Sequence, residues 1–319
     1  MLQQVLKDIP MHTFRKYSEE YTDKQIIDIF LTTCHRSPYT RRNYSRAIEQ
    51  FRHFISYKPL PEVTWREIEV YKISLEQGLC SKSGKPLAPA TLASLIDPLR
   101  SLYKWGSDPN IGIFPHNPTT SIHTPKVPIT SKNHYLTKRE LLLLLNQLKN
   151  QGYRDYLIGL TLVLLGLRVS ELVAIQWNHF HSDPTETSTW LTVVEGKGGK
   201  QREVKVPQTL WKQLLQLQLL QKQEKSQDSN QRLFPISPRQ VERIIQKARE
   251  HSNTVKKVTP HWLRHTNATL ALLHGASLQQ VQETLGHSEI TTTQRYLHTV
   301  QQMKKAAPDF VEDCLKDIF

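Results

Sequence analysis

The chain has 319 residues, a formal net charge of +13 and a pI near 9.6. That length exceeds what one small core supports, so two domains are expected. With 38% hydrophobic and 22% charged residues the composition excludes a disordered chain, and three scattered cysteines, Cys34, Cys80 and Cys314, exclude a disulfide framework and a thiolate metal site.

The basic excess is shared along the chain. Lys and Arg outnumber Asp and Glu by 17 to 12 up to residue 130 and by 25 to 17 beyond it, the pattern expected when both halves face one long polyanion. The first residues, MLQQVLKDIP, lack the basic start and apolar stretch of a signal peptide. The longest apolar run, Tyr156 to Leu167, is short of the roughly 20 residues a membrane span needs. A cytoplasmic protein without a membrane partner is expected.

Residues 1–35 carry no readable pattern. From Thr40, Tyr44, Ile48, Phe51 and Ile55 recur at helical spacing, with Arg41, Arg42, Arg46 and Arg52 at other positions. A second helix is signalled by Pro89-Ala90-Thr91 ahead of Leu92, Leu95, Ile96, Leu99, Leu102 and Tyr103. These features predict a small helical domain over 1–115 whose basic residues, Arg41, Arg42 and Arg46 among them, touch DNA backbone. Five prolines in 106–134 read as a connection, with the linker proper at 116–134.

A second domain is expected over 135–319. Thr137 and Glu140 form an S/T-x-x-E capping box, and an apolar helix over Tyr153–Leu165 stops at Gly166. In "LLGLRVSELVAI", Arg168 stands between that stop and a helix that Ser170 can cap. The stretch "WLTVVEGKGGKQREVKVP" reads as a β-hairpin around a Gly-Lys-Gly-Gly turn carrying Lys197, with Lys200 and Arg202 just beyond it. The Gln-rich stretch 216–231 reads as a helix end running into an exposed loop. The predicted architecture is mainly α with a small antiparallel β-hairpin or sheet.

The densest chemistry lies in "TPHWLRHTNATLALLHGASLQQVQETLGHSEITTTQRYLHT", residues 259–299. Thr259 and Pro260 can start a helix whose first turns carry His261 and Arg264, and a helix N-terminus favours an anion. His261 and His265 are four apart, a spacing that admits a metal pair, but no neighbouring Glu or Cys completes a set. Ser277 and Gln280 form another capping box, Gly286 ends that helix, and His287 follows the stop directly. Tyr296 lies on a last helix nine residues later. After Pro308, the residues Phe310, Val311, Cys314, Leu315, Ile318 and Phe319 form an apolar stripe at helical spacing.

Taken in order, "GLRVSEL", "GKGGKQR", "HWLRH", "LGHS" and "TTQRY" resemble the boxes of the tyrosine recombinases, the phage-integrase and Xer-like enzymes. The resemblance spans about 137–300, and the N-terminal part more loosely resembles the SAM-like core-binding domain of that family. It implies that Arg168 and Arg264 bind phosphate, Lys197 is the hairpin lysine, His261 and His287 are the two histidines, and Tyr296 is the nucleophile. Glu171 would support the first arginine, and Lys200 and Arg202 are expected DNA contacts.

The implied chemistry is coherent. Attack by the phenol on a phosphodiester leaves a covalent 3′-phosphotyrosine and a free 5′-hydroxyl. A phenol of pKa near 10 needs a proton acceptor, for which His261 is suited, and two guanidinium forks suit the charge that gathers on the phosphate. No metal, ATP or other cofactor is implied. The expected partners are double-stranded DNA at a specific, inverted-repeat site and further copies of the chain, a homo-tetramer on two DNA sites assembled from monomers or dimers. In the family a terminal helix docks on a neighbouring protomer; here docking in trans and packing in cis stay open. Two other readings remain at this point: a type IB topoisomerase-like nicking and closing enzyme, and a catalytically silent DNA-binding relative.

Overall fold

The computed structural model describes residues 21–34, 37–80, 84–126, 134–194, 201–224, 232–252, 254–287, 289–304 and 307–316. The chain divides into two compact units, 1–129 and 130–319. The first is helical: α1 (Asp23–Cys34), α2 (Pro38–Phe54), α3 (Trp65–Glu76) and α4 (Pro89–Gly106). Proline at the first turn starts both α2 and α4, where its missing N–H has no partner to lose. A capping box at Thr64 and Glu67 starts α3.

The apolar stripes meet in one core, with Ile48 and Phe51 of α2, Ile68 and Tyr71 of α3, and Leu92, Ile96, Leu99 and Leu102 of α4 all buried. Each such side chain contributes roughly 1.5–3 kcal/mol on burial. On α2, Arg41, Arg42 and Arg46 are exposed. Arg52 is instead drawn to Asp23 and Glu49.

The proline-bearing stretch expected to be a linker is in large part built into this unit. Ile113, Phe114 and Ile122 are buried in the same core, Arg100 donates to the carbonyl of Ile122 at 2.5 Å, and Lys72 to that of His123 at 3.1 Å. The reason is the apolar content between the prolines. Gly106 lies so close to the Phe114 ring that a Cβ there would overlap it.

The second unit opens with α5 (Lys138–Gln151), α6 (Tyr153–Leu165) and the short α7 (Val169–Ala174). Strands β1 (Phe180–Ser182), β2 (Thr189–Val193) and β3 (Arg202–Val206) form an antiparallel sheet in the order β1-β2-β3. Thr189 pairs with Val206 and Val193 with Arg202, so Leu191, Val193, Val204 and Val206 turn into the core at period two. Strand β1 is an addition to the expected hairpin. Lys197 and Lys200, which fall between β2 and β3 in sequence, lie outside the described residues.

The helices α8 (Gln208–Glu224), α9 (Pro238–His251), α10 (Pro260–Leu273), α11 (Leu278–Leu285), α12 (Ile290–Lys304) and α13 (Ala307–Cys314) follow. A large core joins α5, α6, the sheet, α8 and α9. A smaller one joins Ala268, Leu272, Val281, Leu285, Tyr296 and Val300 from α10, α11 and α12. On α13, Phe310 and Val311 are 58% and 56% exposed, and Ile318 and Phe319 lie outside the described residues. No helix among the described residues is long and apolar enough to cross a membrane.

Candidate active site

The first arginine is placed by the end of α6. Gly166 closes that helix in the left-handed region, at φ 60°, and leaves carbonyl groups without helical partners. Helix α10 supplies the donors: Asn267 Nδ2 donates to the carbonyls of Val163 and Leu164 at 2.8 and 3.0 Å, and Arg264 Nη1 to that of Gly166 at 2.6 Å. Arg168 then sits at the start of α7. The expected cap, Ser170, is displaced by a different arrangement: Arg168 is itself the N-cap residue, and its N–H donates to Glu171 Oε2 at 2.8 Å.

Gly166 admits no side chain. A Cβ there would lie 2.7 Å from Leu285 Cδ2 and 2.8 Å from Asn267 Oδ1, on a backbone already left-handed. Gly166→Ala is therefore expected to cost about 1–3 kcal/mol in urea unfolding of the full chain. A variant as stable as the parent would contradict this packing.

Arg264 is 2% exposed. Besides the Gly166 carbonyl it reaches that of Leu285 at 2.6 Å through Nη2, so one guanidinium joins the end of α6 to the end of α11. These bonds use two of its five N–H donors. Glu171, with its side chain fully buried, accepts from Arg168 at 2.6 Å and from both terminal nitrogens of Arg202 at 3.0 and 2.8 Å, and lies 3.8 Å from Arg264. Burial alone would push its carboxyl up. The hydrogen bonds and charge of Arg202, with those of Arg168, outweigh burial and hold it at about 2.

Arg202 departs from the expectation of a DNA contact. Its side chain is 11% exposed, with Nε donating to the carbonyl of Thr284 at 2.8 Å while the fork grips Glu171. A buried carboxylate demands paired donors, and Arg202 answers that demand from β3. It also lies on Gly286, where a Cβ would sit 2.7 Å from Arg202 Cδ. Gly286, at φ 65°, ends α11 and sets the following residue, His287, whose Nδ1 pairs with Thr293 Oγ1 at 2.9 Å.

Helix α12 brings Tyr296 against this assembly. Its ring stacks over His287 with centroids 6.4 Å apart, and the residue is 9% exposed. Its hydroxyl meets Nδ1 of His265 at 2.5 Å. His265 in turn packs against His261, centroid to centroid 4.3 Å, while His261 itself is exposed.

The electrostatics are those of a cationic pocket. Burial first, then the charge of Arg168, holds Arg264 down at about 10, so it stays protonated. Partial burial of the His261 ring, although the residue as a whole is exposed, followed by Arg264 and Arg168, lowers His261, and burial with the same two arginines brings His287 to about 4. Burial and then the neighbouring His261 and His134 bring His265 to about 3. These histidines are therefore neutral near pH 7.

Unfolding returns them toward the ordinary value near 6.5, so the unfolded chain takes up protons as pH falls through that value. Stability is expected to be full above pH 6.5 and to decline as pH drops from there toward 4. Urea titrations across this range check it, and a flat profile would contradict the burial of these rings. Glu171 adds to the loss only at the acid end of that range, below its ordinary value near 4.5.

Arg168, Glu171, Arg202 and Arg264 are thus in direct contact or within ion-pair distance, and His261, His287 and Tyr296 adjoin them. His265 was noticed in the sequence only as a metal partner for His261. It faces Tyr296 instead, a relation across 31 positions that no local pattern carries.

With this geometry in place, residues 134–303 match the phage integrase family. The chain is 29% identical to the tyrosine recombinase XerD of Staphylococcus saprophyticus, over 84% of this chain and 90% of the relative. It is 32% identical to a tyrosine recombinase of Pseudothermotoga lettingae, again over 84% and 90%. The fold resembles that of the XerH site-specific recombinase solved with palindromic difH substrate in a post-cleavage complex, with a TM-score of 0.69 at 19% identity, covering 91% of this chain and 84% of that one.

Proposed function

The chain belongs to the phage integrase family and is a tyrosine site-specific recombinase, and from that premise we propose that Tyr296 is the nucleophile that cleaves and rejoins DNA. The observation that carries this assignment is the hydroxyl of a tyrosine on α12 docked against α10, the helix that also bears His261 and Arg264.

Each residue then has a task. Arg264 and Arg168 bind the non-bridging oxygens of the scissile phosphate, their planar forks matching its geometry. Glu171 fixes Arg168, and Arg202 holds Glu171. His261, neutral and exposed, takes the phenolic proton as Tyr296 attacks. With Nδ1 engaged by Thr293, His287 presents Nε2 to the phosphate. Lys197 protonates the leaving 5′ oxygen. Tyr296 Oη bonds to phosphorus as the bond to the 5′ oxygen breaks, so one phosphoester replaces another and rejoining needs no outside energy source. Several fixed cations supply the charge stabilisation.

DNA is the partner, met by the exposed Arg41, Arg42 and Arg46 and by Lys200 in the hairpin. A specific, inverted-repeat site and a tetramer are proposed because exchange between two duplexes cuts four strands, one nucleophile to each. A nicked suicide substrate tests the reading. Wild type is expected to form a denaturation-resistant adduct on the 3′ side of the break. Binding without an adduct would indicate a silent relative, and relaxation of supercoils without strand exchange a topoisomerase.

A further inference from the structure

Three side chains of α10 have separate destinations. Positions 261, 264 and 265 are spaced i, i+3 and i+4, so they share one face of the helix. Arg264 is tied to two carbonyls and His261 is exposed. His265 is buried, touched by the rings of His261, His134 and Tyr296 at 4.3, 6.2 and 5.2 Å, and its Nδ1 meets the Tyr296 hydroxyl at 2.5 Å.

We propose that His265 is a positioning residue for Tyr296, accepting the phenolic hydrogen through Nδ1 and so aiming the hydroxyl from the same rigid helix that holds the phosphate-binding Arg264. A neutral imidazole has a single acceptor nitrogen. Burial, and then the neighbouring His261 and His134, hold His265 down at about 3, so it is far too weak a base to take a proton from a phenol of pKa near 10. The bond therefore orients Tyr296 before the attack, and the single phenolic hydrogen leaves Nδ1 for His261 as the attack begins. Nucleophile, base and phosphate seat are thereby referred to one element, the arrangement that keeps a reacting geometry within tenths of an ångström.

This inference rests on the nucleophilic role proposed for Tyr296, and the test separates the two. The measurement is the single-turnover rate of covalent adduct formation on a nicked suicide duplex, with the Kd for an intact duplex and the melting midpoint followed in parallel. His265→Leu is expected to lower the rate roughly 10- to 100-fold with Kd unchanged. His265→Asn places an amide oxygen near the Nδ1 position and should restore the rate to within about threefold of wild type, whereas His265→Gln reaches the Nε2 position and should not.

A Leu variant at or above the wild-type rate overturns the proposal. If that variant does not fold, the Asn and Gln pair decides alone, and a Gln variant equal to or faster than the Asn variant overturns it. Tyr296→Phe serves as the separate arm: an adduct that persists there removes the role of Tyr296 itself, while its loss beside a fast Leu variant sinks only the role of His265.

Discussion

Tyr296→Phe is expected to lower covalent capture of DNA by roughly 10⁴-fold or more while leaving duplex binding within a few-fold. The change deletes one oxygen from a residue that is nearly buried and stacked on His287. The ring and the smaller core joining α10, α11 and α12 are retained, and the arginines proposed to bind phosphate are untouched. What is lost is the hydroxyl proposed to attack and its bond to His265. Because Nδ1 of His265 would then lack its partner, a stability loss of about 1–3 kcal/mol should accompany the chemical one. Single-turnover cleavage beside a binding titration separates the effects. A variant that still captured DNA would assign the nucleophile elsewhere.

Glu171→Leu is the second large effect, and it falls on the fold. The carboxylate is the shared counter-ion of Arg168 and Arg202 and lies within ion-pair distance of Arg264. Removing it leaves these guanidinium groups crowded together in a desolvated place without compensation, a change that costs about 3–5 kcal/mol when one member of a buried pair is deleted. Glu171→Gln keeps an acceptor and should cost less. The acid limb of stability carries a second signature. A carboxyl held at about 2 contributes stability that is present above its ordinary value near 4.5 and is lost as pH falls toward 2. Urea unfolding should show that portion of the acid loss in wild type and not in the Leu variant. Equal stability of the two would contradict the network.

Much of the fold can be read in one dimension because its signals are local. The capping boxes at Thr137 and Ser277 and the glycine stops at Gly166 and Gly286 concern neighbours within a turn. The alternation in β2 and β3 is likewise a local record of which face is buried. The remainder depends on contacts between distant residues. Arg202 has the composition of a DNA contact and becomes an internal tether only because Glu171, 31 positions earlier, needs a second donor. His265 looks like a partner for His261, its neighbour in sequence, and is claimed by Tyr296 from another helix. Prolines make 106–134 look like a linker, yet Phe114 and Ile122 between them are apolar enough to be drawn into the first core. The cap at Ser170 fails for a related reason, since Glu171 reaches back three residues to the N–H of Arg168.

The central claim is tested most directly by finding which side chain carries the DNA. Wild-type protein trapped on a nicked suicide duplex, digested with trypsin and nuclease and sequenced by mass spectrometry, should yield one nucleotide-modified peptide with its phosphate on Tyr296. A phosphate on any other residue, or trapped DNA released by dilute hydroxylamine as an acyl phosphate would be, contradicts the account.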